Sequence, residues 1–190
     1  MKKIGVPYIN MTMRNNKGFT LVELLLVIII MGILIVMGLT SFLSSQKKSR
    51  DIKRKQDLRQ VALSLEAYYS DKGKYPTGNA SGVMVGCSKN DAQTCDWDGT
   101  FQDMKGTTYM VKLPTDTSPA RYYYISATGS QYQLYARLEN LQDGDIPKNG
   151  SGLARAFSDI SCNSTTGAYC NYGISSPNAS IVTGRSLTYE

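Results

Sequence analysis

The sequence predicts an α+β chain. One long N-terminal helix, membrane-spanning in its first half and amphipathic in its second, packs on a small antiparallel sheet of three to four strands. A loop-rich, disulfide-stapled C-terminal region follows. Three observations predict this. Residues 19–37 hold one charged side chain, Glu23, and one other clearly polar one, Thr20. No proline interrupts residues 19–75. Beyond them, tyrosine-rich alternating runs are separated by Gly, Pro, Asn and Asp, the punctuation of short strands.

At about 1.5 Å per residue, a helix over 19–37 reaches about 28 Å, close to the hydrocarbon thickness of a bilayer. A soluble domain buries an all-round apolar helix only inside a large core, and 190 residues with one Trp do not supply it. Glu23 is the exception in that run, because a carboxylate in hydrocarbon is costly. Either it sits near the helix end and reaches headgroup water, or another molecule supplies a cationic partner. From Gln46 the pattern turns charged: Lys47, Lys48, Arg50, Lys53, Arg54, Lys55 and Arg59, with Asp51 and Asp57 among them. Leu58, Val61, Ala62, Leu65, Tyr68 and Tyr69 recur at helical spacing and form one apolar face. Gly73, followed by Tyr75-Pro76, ends a helix of about 50 residues. The basic run reads first as a solvated helix face; contact with anionic headgroups or neighbouring subunits, and a nucleic-acid site, are the alternatives. It also puts seven Lys or Arg after the span against four before it, so the positive-inside rule alone would place the C-terminal domain in the cytoplasm.

Residues 76–106 read as a long loop, anchored by Trp97 and Phe101. Strand signals follow at 107–113, 122–127 and 132–138, the last two joined as a hairpin through Gly129-Ser130. The tail, 140–190, reads as loop. Cys87, Cys95, Cys162 and Cys170 form two pairs, each with seven intervening residues, which is not a zinc spacing. An even count beyond a membrane anchor points to an oxidising compartment and two disulfides. Three connectivities exist, and equal short loops favour 87–95 with 162–170. This assignment overrides the positive-inside count and puts the domain outside.

Net charge is +6, but Lys2, Lys3, Arg14 and Lys17 precede the apolar run without an acidic residue, leaving 17 basic against 15 acidic side chains beyond it. The pI is therefore weak evidence for nucleic acid as a partner. No His exists to serve as general base or metal ligand. There is no Gly-rich phosphate loop, and Cys spaced by seven residues is poor for redox chemistry. No enzyme is expected.

A basic leader ending in Gly18, then Phe19-Thr20-Leu21-Val22-Glu23 and an apolar run, resembles the class III signal of type IV pilins and pseudopilins. The resemblance implies cleavage between Gly18 and Phe19 by a prepilin peptidase, N-methylation of Phe19, and pairing of Glu23 with the terminal amine of a neighbouring subunit. Residues 1–18 are then a leader, 19–46 a transmembrane and assembly helix, and 47–190 an extracytoplasmic globular domain. Met11 or Met13 would serve as a later start, and a folded cytoplasmic tail is the alternative for 1–18. In the family a Gly and a Pro about eight residues later bracket a segment that melts in the filament. Gly32 matches the first, but Thr40 stands where the Pro would be. Further along, Glu66-Ala-Tyr-Tyr-Ser-Asp-Lys-Gly-Lys-Tyr-Pro76, Leu113-Pro-Thr-Asp116, Tyr122-Tyr-Tyr-Ile-Ser126 and Tyr132-Gln-Leu-Tyr-Ala-Arg-Leu-Glu139 resemble the smaller pilins and the major type II secretion pseudopilin.

The function so implied is a structural subunit of a type IV pilus, serving adhesion, motility or DNA uptake. It is held in the cytoplasmic membrane as a precursor and displayed at the cell surface once assembled. Its partners would be copies of itself, the prepilin peptidase, an assembly platform, membrane lipid before assembly, and nucleic acid only in a competence role. A pseudopilin of a secretion or competence system is the alternative, and a membrane-tethered binding domain that never polymerises the second. No cofactor is expected. Asp143-Gly-Asp145 is a weak calcium candidate on the same resemblance, set against an ordinary turn, since calcium takes six to eight oxygens.

Overall fold

A computed structural model of the chain describes residues 18–86, 93–117 and 119–189, with the backbone alone at 37–41. The expected leader, apart from Gly18, and Cys87 lie outside the described residues. The chain divides into two units between Leu43 and Ser44. One helix, α1 (Leu21–Lys72), contributes to both.

In the first unit α1 begins after Thr20 with the bond from Leu24 N–H to Thr20 O at 3.2 Å. Its side chains from Leu21 to Val36 are exposed without regard to face. Among the described residues, no helix is long and apolar enough to cross a membrane. The backbone at 37–41 stays helical through Gly38 and Thr40.

In the second unit α1 has one buried stripe: Asp51, Arg54, Asp57, Leu58, Val61, Ser64, Leu65 and Tyr68. The spacing of three and four residues is that of a helix face laid on a core. Its first turns are polar and its last turns apolar. The helix stops at Gly73, whose φ of 69° suits glycine and whose N–H donates to Tyr69 O at 2.8 Å.

The stretch read as a long loop carries short strands. β1 (Thr77–Gly78), β2 (Met84–Val85) and β3 (Thr94–Cys95) form one antiparallel sheet, and β4 (Phe101–Gln102) pairs with β5 (Thr108–Met110). Phe101 is fully buried, and Trp97 packs edge-on to Tyr122, so both anchor the segment to the domain. The expected hairpin is present as β6 (Tyr123–Ile125) and β7 (Gln133–Ala136), with Tyr124 opposite Leu134. Gly129 turns it at φ 76°, where its carbonyl accepts Tyr75 N–H at 2.7 Å. A Cβ at Gly129 would lie 2.6 Å from Tyr75 O, so the close approach requires glycine.

Two expectations need correction. The strand at 107–113 pairs with β4 and not with the hairpin, because the third strand of that sheet comes from the tail. The tail itself is strand-rich: β8 (Arg155–Ser161), β9 (Tyr169–Cys170), β10 (Tyr172–Ser175) and β11 (Leu187–Tyr189). β10 joins the hairpin in the order β10-β7-β6, while β11-β8-β9 forms a separate antiparallel sheet.

These strands make two cores. Leu58, Val61 and Leu65 of α1 pack with Tyr122, Tyr124, Leu134 and Ala136. Tyr135, pointing the other way from β7, packs with Phe157, Ile160 and the Cys162 and Cys170 side chains. All four residues of β7 are consequently buried. A strand covered on both faces loses the in-out alternation that sequence reading relies on.

Candidate functional site

The residues expected at the processing site lie at the start of the first unit. Gly18 and Phe19 are non-helical and exposed, as a peptide must be to enter a protease cleft. Three residues on, the chain closes a reciprocal set of bonds. Thr20 donates its N–H at 2.9 Å and its hydroxyl at 2.8 Å to Glu23 Oε2, and Glu23 N–H donates back to Thr20 Oγ1 at 3.2 Å. This is a capping box, in which a Thr at the N-cap and a Glu three residues later satisfy amides that the first helical turn leaves over. The Thr-x-x-Glu spacing was there to be read in the sequence, and it gives Glu23 a role within its own chain. Each bond to the carboxylate uses Oε2, so Oε1 takes no part in the box.

The second unit holds a denser electrostatic cluster where a solvated basic face was expected. Arg54 is buried and makes three ion pairs: Nε to Asp116 Oδ2 at 2.6 Å, and Nη1 to Asp51 Oδ1 and Glu139 Oε1 at 2.9 Å each. Burial alone would lower its pKa; hydrogen bonds and charge from Asp116, with Glu139 and Asp51, outweigh that and raise it. Arg50 grips Glu139 with both Nε and Nη2, and its hydrogen bond does most to hold the Glu139 carboxyl at about 2. Asp51 also accepts the N–H groups of Glu139 and Asn140 at 2.9 Å. Next to it, Tyr122 donates its hydroxyl to Asp57 at 2.7 Å. The charges at 50–57 therefore fasten α1 to the turn after β5 and the segment after β7. Lys47, Lys48, Lys53 and Arg59 remain exposed, as a solvated face requires.

Cys162 and Cys170 are bonded, with Cα atoms 4.9 Å apart, and close an exposed loop between β8 and β9. Such a short loop contributes about 2–3 kcal/mol. Asn163 stiffens it by accepting the N–H groups of Thr165 and Thr166. Cys95 is disulfide-bonded; its expected partner Cys87 lies outside the described residues.

The two calcium candidates, Asp143 and Asp145, both face a lysine. Asp143 Oδ1 and Asp145 Oδ2 lie 2.6 and 2.7 Å from Lys55 Nζ. Among the described residues no group of three or more His, Cys, Asp or Glu side chains is arranged to hold an ion.

Comparison with known proteins bears on the head and the domain together. Residues 13–39 match the prokaryotic N-terminal methylation motif. Over 130 residues, 66% of this chain and 85% of the relative, it is 28% identical to the type II secretion system core protein G of Pseudomonas aeruginosa. The Vibrio cholerae protein of the same name is 34% identical over 114 residues, 60% of this chain and 73% of the relative. The type IV major pilin protein PilA of Myxococcus xanthus is 28% identical over 89 residues, 41% of this chain and 40% of the relative. No solved structure matches the chain significantly. With a matched methylation motif over the capped apolar helix, and relatives of both kinds extending into the domain, the chain belongs to the family of type IV pilins and type II secretion pseudopilins.

Proposed function

We propose that this chain is a filament subunit: a precursor anchored in the cytoplasmic membrane through residues 19–37, with the domain outside, that polymerises through the same helix. A prepilin peptidase would cut between Gly18 and Phe19, Phe19 would be methylated, and Glu23 would accept the terminal amine of a neighbouring subunit's Phe19. The chain is the substrate of that chemistry and carries none of its own. The observation that carries the reading is the exposure of every described side chain from Leu21 to Val36, on all sides of the helix. An apolar surface of that extent needs lipid first and other helices afterwards. Gly32, where an added Cβ would meet nothing within 4 Å, leaves a notch on that surface suited to a neighbour's side chain.

Within that reading we favour a cell-surface pilus serving adhesion, motility or DNA uptake, supported by the disulfide-closed loop at 162–170. The second reading is a secretion pseudopilus, favoured by the greater coverage of the core protein G relatives. Assembly-platform proteins would be partners in both, and DNA only in an uptake role. The test is electron microscopy of material sheared from cells, with mass spectrometry of the same fraction. Long filaments built of residues 19–190 with a methylated terminal amine are the expected result. Filaments seen only on overproduction of a secretion machinery would favour the second reading, and an intact leader on surface protein would overturn both.

A further inference from the structure

The turn at 140–146 is fixed at three points. Asp51 holds its start through the amide of Asn140, and Ile146 is buried in the main core at its end. Between them Lys55 reaches over from α1, its side chain only 16% exposed, and its ammonium lies between Asp143 and Asp145. Asp143 Oδ1 additionally accepts Asp145 N–H at 3.0 Å, which brings the two acidic residues into one tight turn. On a further side the ammonium stands 5.4 Å from the centre of the Tyr172 ring, which belongs to β10. Two carboxylates and an aromatic face thus surround one positive charge.

Two carboxylates converging on one point repel each other unless a cation lies between them. An ammonium has three donors, and here two are spent on carboxylates while the ring faces the charge. A divalent ion would have to displace this ammonium and then reach six to eight oxygens by adding backbone or amide carbonyls to the two carboxylates. Such carbonyls include Asn140 Oδ1, which now accepts Gln142 N–H, and Gln142 O, which now accepts Lys148 Nζ. Burial alone would lower the Lys55 pKa, but hydrogen bonds to Asp143 and Asp145 outweigh it and raise it, so the side chain stays charged through the neutral range.

We infer that Lys55 is the resident cation of the 140–146 turn, and that the order of this turn is independent of divalent metal ions. The lysine does from inside the chain what a bound ion would do from outside, and it couples the turn to α1 and to β10 at once. The inference does not depend on whether the chain builds a pilus or a pseudopilus.

The experiment is thermal melting of the full chain in nonionic detergent, in EDTA and then in calcium chloride. The two midpoints are expected to agree within about 1 °C, since a ligand that does not bind the native state does not stabilise it. A calcium-dependent rise of several degrees would overturn the inference. Lys55→Gln is expected to lower the midpoint by about 3–6 °C and to speed protease cleavage within 140–146, whereas Lys55→Arg keeps most of the stability. A Gln variant that melts and resists protease like the parent would also overturn it. Should the Gln variant not fold, the comparison of EDTA with calcium on the parent chain decides alone.

Discussion

Glu23 has two separable duties, and its chemistry allows them to be told apart. Within the chain it closes the capping box with Thr20; between chains, on the proposed reading, its charge meets a terminal amine. Glu23→Ala removes both and is expected to reduce the yield of sheared filaments by about tenfold or more, because a desolvated amine is left without a counter-charge. Glu23→Gln keeps the side-chain carbonyl that a capping box needs and discards the charge. Its yield is expected to fall between the two. Filament counts normalised to processed subunit in membrane immunoblots provide the measurement, and a Gln variant assembling like the parent would reduce Glu23 to a helix cap. The charge at this position was legible as an anomaly in an apolar run. Arg54 was legible only in part: it stands four residues before Leu58, in register with the apolar stripe, but amid Lys53, Lys55 and Arg59 its charge reads as one of a solvated run. Of its three acidic partners, Asp51 stands three residues before it on α1, but Asp116 and Glu139 come from distant parts of the sequence, and only the fold brings them to it.

At the level of elements, the part of α1 that belongs to the second unit is tied to the rest of the domain by charge in its first turns, at Arg50 to Lys55, and by apolar packing further on, at Leu58 to Tyr68. The charged end responds to acid. Glu139, held at about 2 in the folded chain chiefly by its hydrogen bond with Arg50, would return towards 4.5 on unfolding. A carboxyl with a lowered folded pKa contributes stability that is present above its unfolded value and is lost as pH falls through the folded one. The melting midpoint should therefore drop as pH falls from about 4.5 to about 2, and Glu139→Gln should flatten that drop. It will not abolish it, because Asp103, also held at about 2, first by its hydrogen bond to Lys72, titrates over the same window. Melts across that range check this, and an unchanged slope in the variant would count against the tie. The helix and the hairpin were readable because period and turn chemistry are local: the apolar stripe to Tyr68, Gly73 at the stop, Gly129 in the turn. β8 to β11 were not: β9, β10 and β11 have two to four residues and carry too little pattern, the seven residues of β8 include Ser158 and Asp159 in place of a clean alternation, and the pairing of β10 with β7 is decided by distant contacts.

The sheet order β10-β7-β6 has a consequence for how the chain comes to be folded. Synthesis delivers α1 first and the β6–β7 hairpin next, but the strand that completes the sheet emerges about 40 residues after β7. At roughly 5–20 residues per second this leaves an interval of about 2–8 s. During it, one edge of β7 has no partner and Tyr135 has no second core to enter. Exposed strand edges invite pairing with other chains. A chain ending at residue 150 would hold that state permanently, and is expected to be degraded or aggregated where the full chain persists, as pulse–chase immunoprecipitation would measure. A stable, soluble truncated chain would mean that helix and hairpin suffice alone. The last strands to be made are thus a timing element: whatever escorts the nascent subunit must remain until Tyr172 has passed, and can leave once β10 closes the edge.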